Sequence, residues 1–403
     1  MQNKIIILLA ALSVLLTGCM DIGSPYTSED IHNITIKAVY PAGFGTRDGA
    51  TVRIEGLSNE IIYVLLTGQD GSVTTHIPNG LYRISVRDRV GNNLFNGTLD
   101  KVLVSGADVT LDVELLRSLA GLLVIKELYC GGCPKLPEEG TYQSDQYVII
   151  HNNDEYVTYL DGLCLGTLSP YNSTATNPWA DAQGNLPDFA PIIQAIWMIG
   201  GTGTTFPLEP GADAVICFRG AINHTAQYPM SVNLNRPDYF VCYNPVYFPN
   251  PVFHPAPGDQ IREDHYLEVV IKTGQANAYT LSINSPTLVL FRPEDGVDIH
   301  DFVSQPQNLV QVPGSSVDRV ITVPLDWILD GMEVFNGGSS NNRKRLNQKV
   351  DAGYVFLNET FKGYSLMRHT DQEKTSLLGY EVLQDSNNST VDFYESQVQS
   401  LHE

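Results

Sequence analysis

From Ile34 to about Leu116, short apolar runs alternate with polar positions, and turn residues recur roughly every 8 to 12 positions, the spacing of an antiparallel sandwich. The runs predict strands at Ile34 to Val39, Ala50 to Glu55, Ile61 to Thr67, Ser72 to Ile77, Tyr82 to Val86 and Val109 to Leu115. In Tyr82-Arg83-Ile84-Ser85-Val86 every second residue is apolar, so one face is buried and the other meets water. Asp70-Gly71 and Asn79-Gly80 offer the positive φ angles that tight turns require.

The pattern changes near Gly121. Leu122 to Leu128, Tyr147 to Ile150 and Thr287 to Phe291 read as strands, Tyr159 to Leu165 as a turn into another, and Ala214 to Phe218 as a buried run after Pro210-Gly211. Helical periodicity is scarce: only Phe189 to Met198 and Leu325 to Asp330 predict short helices, neither with a long amphipathic face. The chain is therefore expected to be mostly β, as a small sandwich over 31–118 and a larger unit over 119–403.

Two resemblances sharpen that division. The run Thr67-Gly68-Gln69-Asp70-Gly71-Ser72-Val73, followed by Ile77-Pro78-Asn79-Gly80-Leu81-Tyr82-Arg83-Ile84-Ser85-Val86, resembles the transthyretin-like, carboxypeptidase-regulatory type of β-sandwich. That resemblance implies a spacer or docking module without catalytic residues. Ile125-Lys126-Glu127-Leu128-Tyr129, Asp145 to Asn152, Leu160-Asp161-Gly162, Leu208-Glu209-Pro210-Gly211 and the closing Asn387-Asn388-Ser389-Thr390-Val391-Asp392-Phe393 resemble a lamin-tail-like immunoglobulin sandwich. Long insertions at 166–205 and 221–286 separate these landmarks. Taken whole, the chain resembles a family of bacterial outer-membrane lipoproteins that joins the two modules.

The first residues fit that setting. Lys4, the apolar run Ile5 to Leu16 and Leu16-Thr17-Gly18-Cys19 read as a signal peptide over 1–18, too short to span a bilayer, which takes about 20 residues. The small residues before the cysteine resemble the bacterial lipobox, which implies lipidation of Cys19, a linker over 19–30 and a lipid-anchored place at the outer membrane, on either of its faces.

Charge narrows the partners. With 24 Lys and Arg against 45 Asp and Glu, the net charge of −21 argues against nucleic acid, whose recognition needs a basic surface. The one basic cluster, Arg343-Lys344-Arg345, follows a glycine- and asparagine-rich stretch and reads as a surface loop whose charges face water, with pairing to an anionic partner as the alternative.

Beyond Cys19, five cysteines remain of six. Cys130-Gly131-Gly132-Cys133 is read first as a structural disulfide or inert thiols, with half a zinc site or a redox dithiol as alternatives; a second pair for zinc is missing. His254, His265 and Glu268 are close enough in sequence to suggest metal ligands, but a charged, proline-flanked loop reads more simply as surface. No nucleophile elbow, H-E-x-x-H, P-loop or dinucleotide fingerprint occurs, and neither a cofactor nor a metal is expected.

Segment 237–259 alternates proline with aromatic rings, so an extended irregular loop is expected rather than a central strand. Exposed, Tyr239, Tyr243, Tyr247, Phe248 and Phe253 would form a platform for a ligand or partner; packed down, they would cover a sheet edge. The expectation is a non-catalytic lipoprotein that binds a ligand or protein partner through loops of its second unit, as an accessory of a TonB-dependent transporter or another envelope protein. The competing readings are an envelope hydrolase or thiol oxidoreductase with a dispersed site, and a structural subunit of an envelope complex.

Overall fold

A computed structural model describes residues 31–57, 61–90, 93–119 and 122–402. The expected signal peptide and Cys19 lie outside the described residues.

Two sheets form the first sandwich. One has the order Ser72–Pro78, Ile31–Val39, Val109–Glu114; the other runs Ile62–Leu66, Thr51–Gly56, Gly80–Val90, Asn93–Val104, Leu116–Leu119. Ile34, Ile36, Val52, Ile54, Ile84, Val86 and Phe95 fill the space between them. Asp70-Gly71 makes its turn with Gly71 at φ 72° and the Asp70 carboxylate accepting from the Ser72 N–H. Asn79-Gly80 does not form the expected tight turn: Asn79 alone is the corner where the chain crosses between sheets, and Gly80 begins the next strand. The long strand Asn93–Val104 is absent from the sequence reading because Asn96-Gly97 interrupts its alternation. Gly97 is there for space, since a Cβ would lie 2.4 Å from the Glu114 carbonyl oxygen.

The second unit is also a sandwich. Its first sheet has the order Phe240–Val241, Asp213–Cys217, Tyr147–Asn152, Leu123–Tyr129, Ser365–Arg368, Phe393–Ser396. The facing sheet runs Leu309–Gln311, Arg319–Pro324, Phe189–Met198, Cys164–Leu168, Thr287–Phe291, Ile328–Asn336, Val355–Leu357, with Glu268–Lys272 also paired to Phe189–Met198. Leu128, Val148, Trp197, Ile216, Leu288 and Leu366 belong to the core between these sheets.

Phe189–Met198 is a ten-residue strand, not the helix its composition suggests. Both of its faces are covered: Ala195 and Trp197 enter the central core, while Ile192 and Ile196 pack on the other side with Val289, Ile321 and Val323. A strand buried on both faces loses its period of two and cannot be told from a buried helix by pattern alone. Leu325 to Asp330 is likewise not a helix; one 3-10 turn, Leu325–Trp327, leads into the strand Ile328–Asn336.

The basic cluster is also corrected. Arg345 is 2 % exposed and paired with fully buried Glu333 at 2.7 Å, and it donates to the carbonyls of Ser285 (2.9 Å) and Val334 (3.1 Å). Lys344 donates to the Gly353 carbonyl, so only Arg343 keeps an exposed side chain. A guanidinium with five fixed donors can be buried where carboxylate and carbonyl oxygens accept from it, an arrangement that loop composition does not reveal.

The two sandwiches touch through named contacts. Asn96 Nδ2 donates to the Ser386 carbonyl at 2.5 Å, Thr98 Oγ1 to the Ala352 carbonyl at 3.2 Å, and the Arg83 guanidinium lies 4.3 Å from the centre of the Tyr354 ring.

Candidate functional site

The proline-aromatic loop contains the same turn twice. Asn244-Pro245-Val246-Tyr247-Phe248-Pro249 is followed at once by Asn250-Pro251-Val252-Phe253-His254-Pro255. In the first copy, Asn244 Oδ1 accepts from the N–H groups of Val246 (3.0 Å) and Tyr247 (3.2 Å), and its carbonyl accepts from Phe248 N–H (2.9 Å). In the second copy, Asn250 Oδ1 accepts from Val252 (3.0 Å) and Phe253 (3.4 Å), and its carbonyl from His254 N–H (2.8 Å). Proline suits the second position because its φ is already that of the turn and no N–H is needed there.

Each turn sends its fifth residue inward and its third and fourth outward. Phe248 is buried and stacks on Trp197 with centroids 5.6 Å apart; His254 is buried beside both rings. Val246 is 85 % exposed, Tyr247 44 %, Val252 71 % and Phe253 44 %. Phe248 is therefore a core residue and not part of a ligand-facing platform. Tyr243, half-buried, stacks on His254 at 5.2 Å, and Tyr239, also half-buried, packs against the buried cluster that includes Val241 and Ile261. Of the five candidate rings, Tyr247 and Phe253 face outward, joined by two valines that an aromatic search passes over. The signal that finds them is the six-residue self-match.

Polar pins hold the loop down. Lys272 Nζ donates to the Tyr247 carbonyl (2.8 Å), Arg219 Nε donates to the Phe253 carbonyl (3.2 Å), and Asn250 N–H donates to the Asn277 carbonyl (3.0 Å). Asn244 N–H donates to His254 Nε2 at 3.1 Å, so that nitrogen carries no proton. Burial, aided by the nearby Arg219 charge, lowers His254 to about 4.

The histidines considered as metal ligands are not brought together. His265 stacks on Phe240 at 4.4 Å, and Glu268 faces His300 at 3.3 Å. Elsewhere, His151, Asp213 and Glu381 gather close enough for a metal, but the Lys126 ammonium lies 2.6 Å from Asp213 and 2.6 Å from Glu381. Burial would raise Asp213; hydrogen bonds from His151 and Lys126 outweigh it and hold the carboxyl below its ordinary range. A lysine thus already supplies the cation there.

Cys130 and Cys133 are free buried thiols, the inert-thiol form of the first reading rather than the disulfide. Cys130 faces the core between the sheets, while Cys133 turns to the Asp145 carboxylate at 3.5 Å, which Tyr129 and Ser231 also share. Gly132, at φ 75°, makes the turn that separates them. Burial pushes both thiols up to about 12, with Asp145 adding to the shift at Cys133, so neither is a nucleophile near neutral pH.

A concave region lies between the sandwiches, with a volume of about 340 Å³ and a lining that includes Thr51, Arg87, Leu94, Asp371, Gln384 and Ser386.

A family model described as "Protein of unknown function (DUF4876)" matches residues 209–400, which contain the double turn. The chain is similar to the crystal structure of a DUF4876 family protein from Bacteroides thetaiotaomicron: 25 % identity, TM-score 0.57, covering 90 % of this chain and 94 % of that one. A DUF3823 family protein from Parabacteroides merdae covers 42 % of this chain and 82 % of its own at 15 % identity and TM-score 0.17. A Streptococcal ancillary pilin covers 47 % and 54 % at 11 % identity and TM-score 0.18. No curated protein matches the chain. Among the described residues no helix is long and apolar enough to cross a membrane.

Proposed function

We propose that the protein is a non-catalytic binding protein of the bacterial outer membrane, tethered through acylated Cys19, that holds a protein partner against the exposed face of its double Asn-Pro-Val turn. The single observation that carries the reading is the outward display of Val246, Tyr247, Val252 and Phe253 by two hydrogen-bonded turns of the same form. Apolar side chains on a rigid backbone lose little entropy on binding, and an exposed apolar patch rimmed by polar residues is characteristic of a contact surface.

In this reading the first unit is a transthyretin-like spacer, the second a lamin-tail-like sandwich, and the partner a TonB-dependent transporter or another envelope protein. A catalytic role finds little support. Asp330, Asp385 and Asp392 cluster around Arg368, but all are buried and their oxygens accept backbone N–H groups of Ile125, Gly331, Ser386, Asn387 and Asn388.

The test is recovery from detergent-solubilised outer membranes with tagged full-length protein. The wild type is expected to retain a defined envelope protein that Val246→Ser/Val252→Ser and Tyr247→Ala/Phe253→Ala lose while remaining folded and membrane-bound. Unchanged retention by both variants refutes the contact surface, and steady turnover of a substrate refutes the non-catalytic reading.

A further inference from the structure

We infer that the cavity between the two sandwiches is a binding site for a small hydroxy-carboxylate, gripped by Arg87. This inference is separate from the double turn. At about 340 Å³ the cavity falls at the lower end of the size range of ligand pockets, and boundaries between domains are a preferred place for them.

Charge accounting identifies the ligand class. Asp88 in the lining accepts from Tyr40 Oη at 2.6 Å and has Arg47 at 3.6 Å; Asp371 has Lys374 at 3.5 Å; Asp385 has Arg368 at 3.3 Å. Asp88 and Asp371 thus each have a cation of their own, and Asp385 shares Arg368 with Asp330 and Asp392. Among the described residues none provides an ion-pair partner for Arg87, so in a chain of net charge −21 this wall holds an unmatched positive group. A guanidinium fork matches a carboxylate with two parallel hydrogen bonds.

The rest of the wall suits hydroxyl groups. Thr51 pairs with Arg87 across neighbouring strands, so both side chains lie on the outer face of the first sandwich. Gln384 Nε2 donates to the Val391 carbonyl (2.9 Å) and Asp392 (3.0 Å), which fixes the amide and leaves its oxygen as an acceptor. The Ser386 hydroxyl donates to Asp392 at 2.7 Å and keeps its own lone pairs to accept.

The experiment is titration calorimetry of the full chain with D-glucuronate, with D-glucose lacking the carboxylate and propionate lacking the hydroxyls. Saturable glucuronate binding, at least about tenfold tighter than either control, is expected. Arg87→Met should weaken it by about tenfold or more, Arg87→Lys by less, and Val246→Ser/Val252→Ser not at all. A glucuronate-terminated disaccharide run in parallel separates a free acid from a glycan end, and saturable binding of either supports the site. Absence of saturable binding by both acids at millimolar concentration overturns the inference. So does equal affinity for glucose, or undiminished binding by a folded Arg87→Met protein; if that variant does not fold, undiminished binding by Arg87→Lys does the same.

Discussion

The N–H of Asn244 donates to Nε2 of His254, joining the first residue of one turn to the fifth residue of its repeat. One bond thereby locks the two copies into a single surface element. It also makes that element sensitive to acid, because a protonated His254 has no lone pair to accept with.

The folded pKa of His254 is lowered from 6.5 to about 4, so its neutral form contributes stability in full above about pH 6.5. That contribution is lost as pH falls toward 4, where the unfolded chain binds a proton that the folded one refuses. His254→Gln, which keeps an acceptor and does not titrate, should flatten this part of the profile. Urea denaturation of both proteins between pH 4 and 7 checks it; parallel profiles would contradict the assignment.

Arg345→Met should be among the most damaging substitutions, at about 3–5 kcal/mol, because it strands the Glu333 carboxylate in the core. Adding Glu333→Gln should recover part of that loss. Chemical denaturation of the single and double variants decides it, and a loss within about 0.5 kcal/mol for the single change would mean the pair is solvated.

The five described cysteines should be silent to an aromatic disulfide reagent in the native protein and all react after unfolding without reductant. Three reacting thiols instead of five would reveal a disulfide among them.

Gly97→Ala should destabilise the first sandwich by about 1–3 kcal/mol, since the new methyl meets the Glu114 carbonyl and Val113. Ala substituted at exposed Gly106 is the wrong control, because φ there is 73°. Gly338, with open space and no positive φ, is the suitable one. Thermal melts of the Gly97 and Gly338 variants compare the two sites.

What the sequence determined on its own is the β character of the chain and most strands of the first sandwich, because a strand wet on one face writes its geometry as alternation, as at Tyr82 to Val86. The six-residue repeat behind the double turn is local as well, but its prolines and rings read only as an irregular loop until the Asn244 and Asn250 side-chain bonds show two turns. Only the tertiary structure decided that Phe189–Met198 is a strand, that Arg345 is buried and that Phe248 points inward while Val246 and Val252 point out. The reason is common to all three. A side chain's burial depends on what arrives from far along the chain, such as Val289 and Ile321 over Ile192 or the Ser285 carbonyl against Arg345, and no local pattern encodes those arrivals.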